Sequence, residues 1–234
     1  MPDKQSLRET VWDDLEESGA ARFPFPPHGR IPNFAGADDA AQALAETDAW
    51  QAADTVKANP DAPQLPVRRA AMRAGKTVYM AVPRLTDERC FLRLDPDEVP
   101  DIDDATTVGG SAEHGVQVSP DEMPTIDLIV SGSVAVSERG ARIGKGEGYS
   151  DLEYAVLREL DLVDAATPVV TTVHETQIRD HDHVDAHDVP MDLVVTPERI
   201  IETETPYDHP SGIDWDALSD ERIAEIPVLA RLSL

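Results

Sequence analysis

The residues with the most chemical potential lie together in one short stretch. Gly144-Lys-Gly-Glu-Gly148 is a glycine-rich loop between a strand signal and a helical one, with Arg142 just before it and Asp151 just after. Such a loop exposes backbone N–H groups and a helix N-terminus, and both favour an anion. Arg142 and Lys145 would add charge for a phosphate. The spacing is not GxGxxG, and it is not a Walker A loop, because no Lys-Ser/Thr pair precedes the helix. A plain flexible turn is the competing reading. Asp151 could cap the helix that follows or hold magnesium beside bound phosphate, and the two roles are compatible.

Other constellations are weaker. Lys4 and Arg8 fall one turn apart on a helix predicted over 4–18, whose Leu7, Val11, Trp12 and Leu15 recur at helical spacing. They could face an anion or be two solvated charges. His174, His181, His183 and His187 alternate with aspartates, but the spacing matches no metal motif and reads first as a solvated acidic loop. Cys90 is the only cysteine, which excludes an internal disulfide or a Cys-built metal centre, and no histidine pattern activates it. No GxSxG is present.

The elements that must position these groups follow from periodicity. A helix is predicted over 38–58, a proline turn over 59–64, a helix over 66–74 stopped by Gly75, and a buried strand over 76–84. Residues 22–34, rich in proline and phenylalanine, read as an extended packed loop and candidate wall of a site. Residues 95–124 read as an acidic surface excursion with one short strand at 116–118. Strands at 126–130 and 133–136, a helix from about 151, strands at 169–173, 192–196 and 199–202, and a short helix near 214–225 complete the chain. Strands alternating with helices predict a three-layer α/β/α sandwich. Residues 1–202 form one domain in this reading, with 203–234 a C-terminal extension packed on it.

Asp and Glu number 46 against 20 Lys and Arg, a net charge of −26, and only four of the basic residues are lysine. An acidic, lysine-poor surface suits a salt-rich cytoplasm. Of the retained lysines, Lys4, Lys76 and Lys145 sit at candidate anion positions. The charge opposes a nucleic-acid partner and an anionic membrane surface. No apolar run approaches the roughly 18 residues of a membrane span. A cytoplasmic protein with small-molecule partners, monomeric or homodimeric, is expected.

Four segments in order, Lys4-Gln-Ser-Leu-Arg8, Gly75-Lys-Thr-Val with Pro83-Arg84, Ile126–Val130 with Gly140–Asp151, and Ala186–Thr196, resemble the 5-formyltetrahydrofolate cyclo-ligases, or methenyltetrahydrofolate synthetases. The loop Ala21–Phe34 and the turn Asn59–Gln64 are similar to a divergent branch that includes the methenyltetrahydrofolate synthetase domain-containing proteins. The resemblance covers 4–202. It implies a fold of the ribose-5-phosphate isomerase/CoA-transferase-like type and an ATP-dependent ligase that uses Mg²⁺. The implied reaction converts 5-formyltetrahydrofolate to 5,10-methenyltetrahydrofolate with release of ADP and phosphate.

By motif, the resemblance implies that Lys4, Arg8, Gly144, Lys145, Gly146 and Gly148 bind ATP and that Asp151 holds the metal. It assigns Lys145, Arg142 and Tyr149 to catalysis, and Tyr149, His187 and Asp188 to the folate. Two departures stand out. Val130–Ser137 lacks the phenylalanine and aspartate usual there, and Glu147 and Ser150 replace a small or basic residue and a tyrosine. The alternatives are a non-catalytic nucleotide-binding or interaction module of the same fold, or a cyclo-ligase for another N-formyl or pterin compound.

Overall fold

The computed structural model describes residues 2–234. In chain order its elements are α1 (Lys4–Glu17), β1 (Ala21–Arg22), β2 (Asn33–Phe34), α2 (Ala37–Ala45), α3 (Asp48–Ala52), β3 (Thr55–Ala58), α4 (Leu65–Arg73), β4 (Thr77–Ala81) and β5 (Phe91–Leu94). Then come α5 (Ile102–Ala105), α6 (Val108–His114), β6 (Val116–Val118), β7 (Leu128–Val130), β8 (Ala135–Val136), β9 (Arg142–Ile143) and α7 (Tyr149–Glu159). The last are β10 (Val169–Thr172), β11 (Leu193–Val195), β12 (Ile200–Glu202), α8 (Asp220–Glu225) and α9 (Pro227–Leu232).

Eight strands form one sheet in the order β12-β11-β10-β7-β3-β4-β5-β6. Its centre, β11 through β4, is parallel, and its edges are antiparallel. Successive side chains of a strand point to opposite faces, and the core divides accordingly. Val56, Ala58, Val78, Met80, Leu128 and Val130 meet α2 and α4 on one face. Tyr79, Ala81, Ile129 and Val169 meet α7 on the other, where Ile226, Val228 and Leu229 from the end of the chain join the same cluster. Helices on both faces of a sheet make the expected three layers.

Three predicted elements differ. The loop expected to pack over 22–34 joins β1 to β2 and leaves Phe23 and Phe25 exposed. The helix expected over 38–58 is divided into α2 and α3 and ends at Ala52, and Thr55–Ala58 is the central strand of the sheet. Four residues with a lysine among them lack the apolar run by which a buried strand is recognised. The excursion over 95–124 keeps its forecast strand at 116–118 but also holds α5 and α6, and Ala105, Gly110 and Ser111 are buried there. Gly110 tolerates no side chain, since a Cβ would lie 2.0 Å from the Asp104 carbonyl oxygen.

Helix α1 follows its periodicity. Asp3 caps it, accepting from the Ser6 N–H at 2.8 Å, and Leu7, Val11, Trp12 and Leu15 are its buried residues. They pack on Val134, Ala135 and Ile143 of the β8–β9 ribbon, at about 1.5–3 kcal/mol for each large side chain buried. That contact holds the ribbon from which the glycine loop emerges.

Candidate functional site

The carboxyl ends of β3, β4 and β7 open into one cleft of about 1030 Å³. Ligands of open parallel sheets bind at these ends, at the point where connections leave in opposite directions. Here β4 flanks β3 on one side and β7 on the other. Asn59, Pro83 and Gly132, which follow those strands, line the cleft.

The glycine loop covers it. Gly146 and Gly148 have φ of 101° and 71°, a left-handed conformation that favours glycine. Gly144 is crowded instead, because a Cβ there would lie 2.9 Å from Nη1 of Arg142 and would displace that guanidinium. The Arg142 guanidinium donates to the Gly132 carbonyl at 3.0 Å and to the two Asp151 oxygens at 2.8 and 2.9 Å. It thus bridges the end of β7, the loop and α7. Arg8 reaches in from α1, its Nε donating to the Gly144 carbonyl at 2.7 Å. Lys145 pairs with Glu147 at 2.8 Å, so the acid of the loop faces a cation.

Asp151 does not cap the helix. Helix α7 starts at Tyr149, two residues earlier than expected, after Gly148 in the cap position, and no side chain caps it. The Asp151 carboxylate instead lines the cleft, where it also accepts from the Val189 N–H at 3.1 Å. That bond brings the neighbouring His187 and Asp188 to the cleft wall. Lys4 donates to Asp185 at 2.7 Å and to Asp188 at 2.6 Å, so Lys4 and Arg8 are structured cleft residues rather than solvated ones. All the residues singled out by motif, Lys4, Arg8, Arg142, Gly144, Lys145, Gly146, Gly148, Tyr149, Asp151, His187 and Asp188, border this single space.

Lys76 is the exception among the lysines. It precedes β4, at the end of the strand opposite the cleft, where it is buried and donates to the Ala53 carbonyl. At the cleft end Arg84 lines the site, and Arg84 and Leu85 take φ of 59° and 52°. Two adjacent non-glycine residues in the left-handed region store strain, as functional sites commonly do.

Sequence reasoning missed the floor of the cleft. Lys57 of β3 points toward α7, and its ammonium donates to Glu153, both groups being buried. Glu153 borders the cleft, and the Asn59 amide lies 3.4 Å from it. The Asn59 oxygen accepts from the Gly132 N–H at 3.2 Å and the Ser150 hydroxyl at 3.3 Å. Buried Arg68 donates to the Asn59 carbonyl at 2.6 Å and the Asp61 carbonyl at 3.1 Å, which fixes the turn after β3. Burial holds the Asp61 carboxyl above the usual carboxylate range, against the opposing charges of Lys145, Arg68 and Lys57. Asp61 borders the cleft, which with its burial makes it a candidate site carboxyl. Burial pushes the Cys90 thiol up to about 12, consistent with an inert core residue.

The histidine segment is less solvated than expected. His181 is 3 % exposed, and among the described residues neither ring nitrogen has a hydrogen-bond partner. Burial, with the charge of His183, lowers its pKa to about 4, against about 6.5 in an unfolded chain. Between these values the unfolded state binds the extra proton, so stability is full above pH 6.5 and falls as the pH drops toward 4. The expected loss across that window is about 3 kcal/mol, read from urea unfolding at a series of pH values. His181→Leu should remove that component of the slope. An unchanged slope in the variant would show that His181 is not its source.

Fold and cleft together define a three-layer α/β/α protein whose polar site, built from arginine, lysine and carboxylate groups, lies at the carboxyl ends of parallel strands. Residues 1–197 match the model of the 5-formyltetrahydrofolate cyclo-ligase family, and the chain belongs to that family. It is 43 % identical, over 98 % of its length, to the methenyltetrahydrofolate synthase domain-containing protein of Mus musculus, of which 63 % is covered. The protein of that name from Homo sapiens is 39 % identical over 98 % of this chain and 61 % of its own. The chain therefore spans about three-fifths of these relatives. In fold it resembles the NMR structure of Aquifex aeolicus 5,10-methenyltetrahydrofolate synthetase, with a TM-score of 0.54 at 17 % identity, over 88 % of this chain and 95 % of that one. Among the described residues no helix is long and apolar enough to cross a membrane.

Proposed function

We propose that the cleft closes the ring of 5-formyltetrahydrofolate to give 5,10-methenyltetrahydrofolate at the expense of ATP. What supports this reading most is the convergence of the glycine loop, Lys145, Arg8 and the Arg142–Asp151 pair on one cleft, in a chain of the cyclo-ligase family. The formyl oxygen attacks the γ-phosphorus and ADP leaves. N10 then attacks the activated formyl carbon and loses its proton, and phosphate departs with the former formyl oxygen.

This chemistry needs little covalent help from the protein. It needs positioning and charge stabilisation. The loop N–H groups and Lys145 hold the triphosphate, and Arg8 steadies the loop through the Gly144 carbonyl. Arg142 places its charge beside the phosphates, in a site where preorganised donors act without reorganising. Tyr149, His187 and Asp188 form the side of the cleft that takes the folate. Carboxylate oxygens are the hard donors that magnesium takes from one or two acids together with substrate phosphates, although Arg142 and the Val189 N–H already occupy both Asp151 oxygens. Asp151 would hold the ion, with Asp188 adjacent through Val189. When bound, it would neutralise the charge of the triphosphate.

The test is the ultraviolet absorbance of the methenyl product, with 5-formyltetrahydrofolate and MgATP in molar potassium chloride. Product that requires both ATP and Mg²⁺ is expected. ATP binding without product would favour the non-catalytic module or another N-formyl or pterin substrate. Lys145→Ala should weaken ATP binding by about tenfold or more, since a charge-assisted bond contributes roughly 1.5–3 kcal/mol. Unchanged affinity at matched salt would refute the assignment of the loop to phosphate.

A further inference from the structure

The C-terminal segment touches the site through one side chain. Tyr149 opens α7 directly after the glycine loop and borders the cleft. Arg222 of α8 donates from Nη1 to the Tyr149 hydroxyl at 2.8 Å, and its guanidinium carbon lies 4.3 Å from the centre of the Tyr149 ring. The chain carries 46 acidic residues. Among the described residues Arg222 nevertheless has no carboxylate partner, and its guanidinium is placed on the tyrosine.

The geometry is supported from both sides. The Ser219 hydroxyl accepts from the Arg222 N–H at 3.1 Å and caps α8. Ile226, Val228 and Leu229, just beyond, lie in the same cluster as Tyr154, Val156 and Leu157 of α7. Arg231 of α9 is tied to Asp121. Helices α7 and α9 therefore share a core, against which Ile223 of α8 packs, and the Arg222–Tyr149 contact is built rather than incidental.

The donors and acceptors of the two groups decide what the contact does. A guanidinium has donors and no acceptor, so the Tyr149 oxygen must accept from Arg222. The hydroxyl's own proton is then left to another acceptor, on a side chain whose ring is already held by the guanidinium.

We propose that Arg222 is a positioning residue of the site, fixing the Tyr149 ring at the cleft wall with its hydroxyl proton free for an oxygen of the bound reduced folate. The C-terminal segment would then complete the folate side of the cleft. This rests on the reading that Tyr149 contacts that substrate.

The experiment measures equilibrium binding of 5-formyltetrahydrofolate and of ATP, each alone, to the full chain and to Arg222→Met, Arg222→Lys, Tyr149→Phe and the double variant Arg222→Met/Tyr149→Phe. Arg222→Met should weaken folate binding about tenfold, with ATP binding changed less than twofold. Tyr149→Phe should do the same, and the double variant should be no worse than Tyr149→Phe, because both changes act through one hydroxyl. Arg222→Lys, which can still donate, should recover part of the affinity.

Folate affinity unchanged in Arg222→Met, or losses that multiply in the double variant, would overturn the proposal. An equal loss of ATP affinity, with a matching fall in melting temperature, would reduce Arg222 to a structural tie and overturn it too. A wild-type chain that binds neither ligand would remove the underlying functional reading along with it. Folate binding that is intact in both wild type and Arg222→Met would remove the Arg222 proposal alone.

Discussion

Lys57→Met should lower the free energy of unfolding by about 3–5 kcal/mol at neutral pH, the loss expected when one partner of a buried ion pair is removed. Lys57 is 1 % exposed and Glu153 5 % exposed, so the carboxylate left behind meets solvent only where it borders the cleft. Its remaining polar contact is the Asn59 amide at 3.4 Å. A fully apolar replacement of similar volume avoids the orphaned charge and is often neutral. Lys57→Met/Glu153→Leu should therefore recover most of the loss. Urea unfolding of the three proteins checks this. A single-variant loss under about 1 kcal/mol would mean that water or another group reaches Glu153.

The pair also lies under the chemistry. Glu153 and Asn59 form the floor of the cleft, and Asn59 in turn receives Gly132 and Ser150. The double variant should thus regain stability without regaining turnover, which separates the two roles of the network.

Asp151→Asn carries the largest expected effect on activity. The carboxylate is bound by Arg142 and the Val189 N–H, and the amide keeps an oxygen for these donors while losing the charge. If Asp151 holds magnesium, turnover should fall by about 10²-fold or more, in line with the loss of one preorganised electrostatic group, while ATP affinity changes a few-fold. The change should reduce stability by about 1–2 kcal/mol, as one charge-assisted bond is weakened. A variant with lowered melting temperature and wild-type turnover would leave Asp151 as a structural partner of Arg142. Steady-state rates across a magnesium series, alongside thermal melts, resolve the two.

Much of the molecule was legible where local pattern and burial coincide. The four apolar positions of α1 are its four buried residues, because an amphipathic helix on a core surface writes its contacts at helical spacing. The glycine loop was legible because left-handed and crowded positions restrict the side chain itself, as at Gly146, Gly148 and Gly144. What was lost depends on partners distant in sequence. Strand β3 was hidden in an alanine-rich stretch, and its lysine makes sense only beside Glu153, 96 residues later.

Lys76 was misplaced for a reason that strand direction explains. A residue before a parallel strand and one after it lie at opposite edges of the sheet, so Arg84 reaches the cleft and Lys76 cannot. The acid loop between β5 and β6 read as surface from its charge, yet its caps at Asp101 and Thr107 nucleate two short helices. Arg222 carried no motif at all. Only the return of the C-terminal segment onto α7 brings it to Tyr149.

If the cleft phosphorylates the formyl oxygen, the position of that oxygen after turnover reports it most directly. 5-Formyltetrahydrofolate labelled with ¹⁸O in the formyl group, turned over with unlabelled MgATP, should give inorganic phosphate carrying one ¹⁸O per methenyl product formed. Methenyl product accompanied by unlabelled phosphate would contradict the account, because the formyl oxygen would then have left without ever bonding to phosphorus.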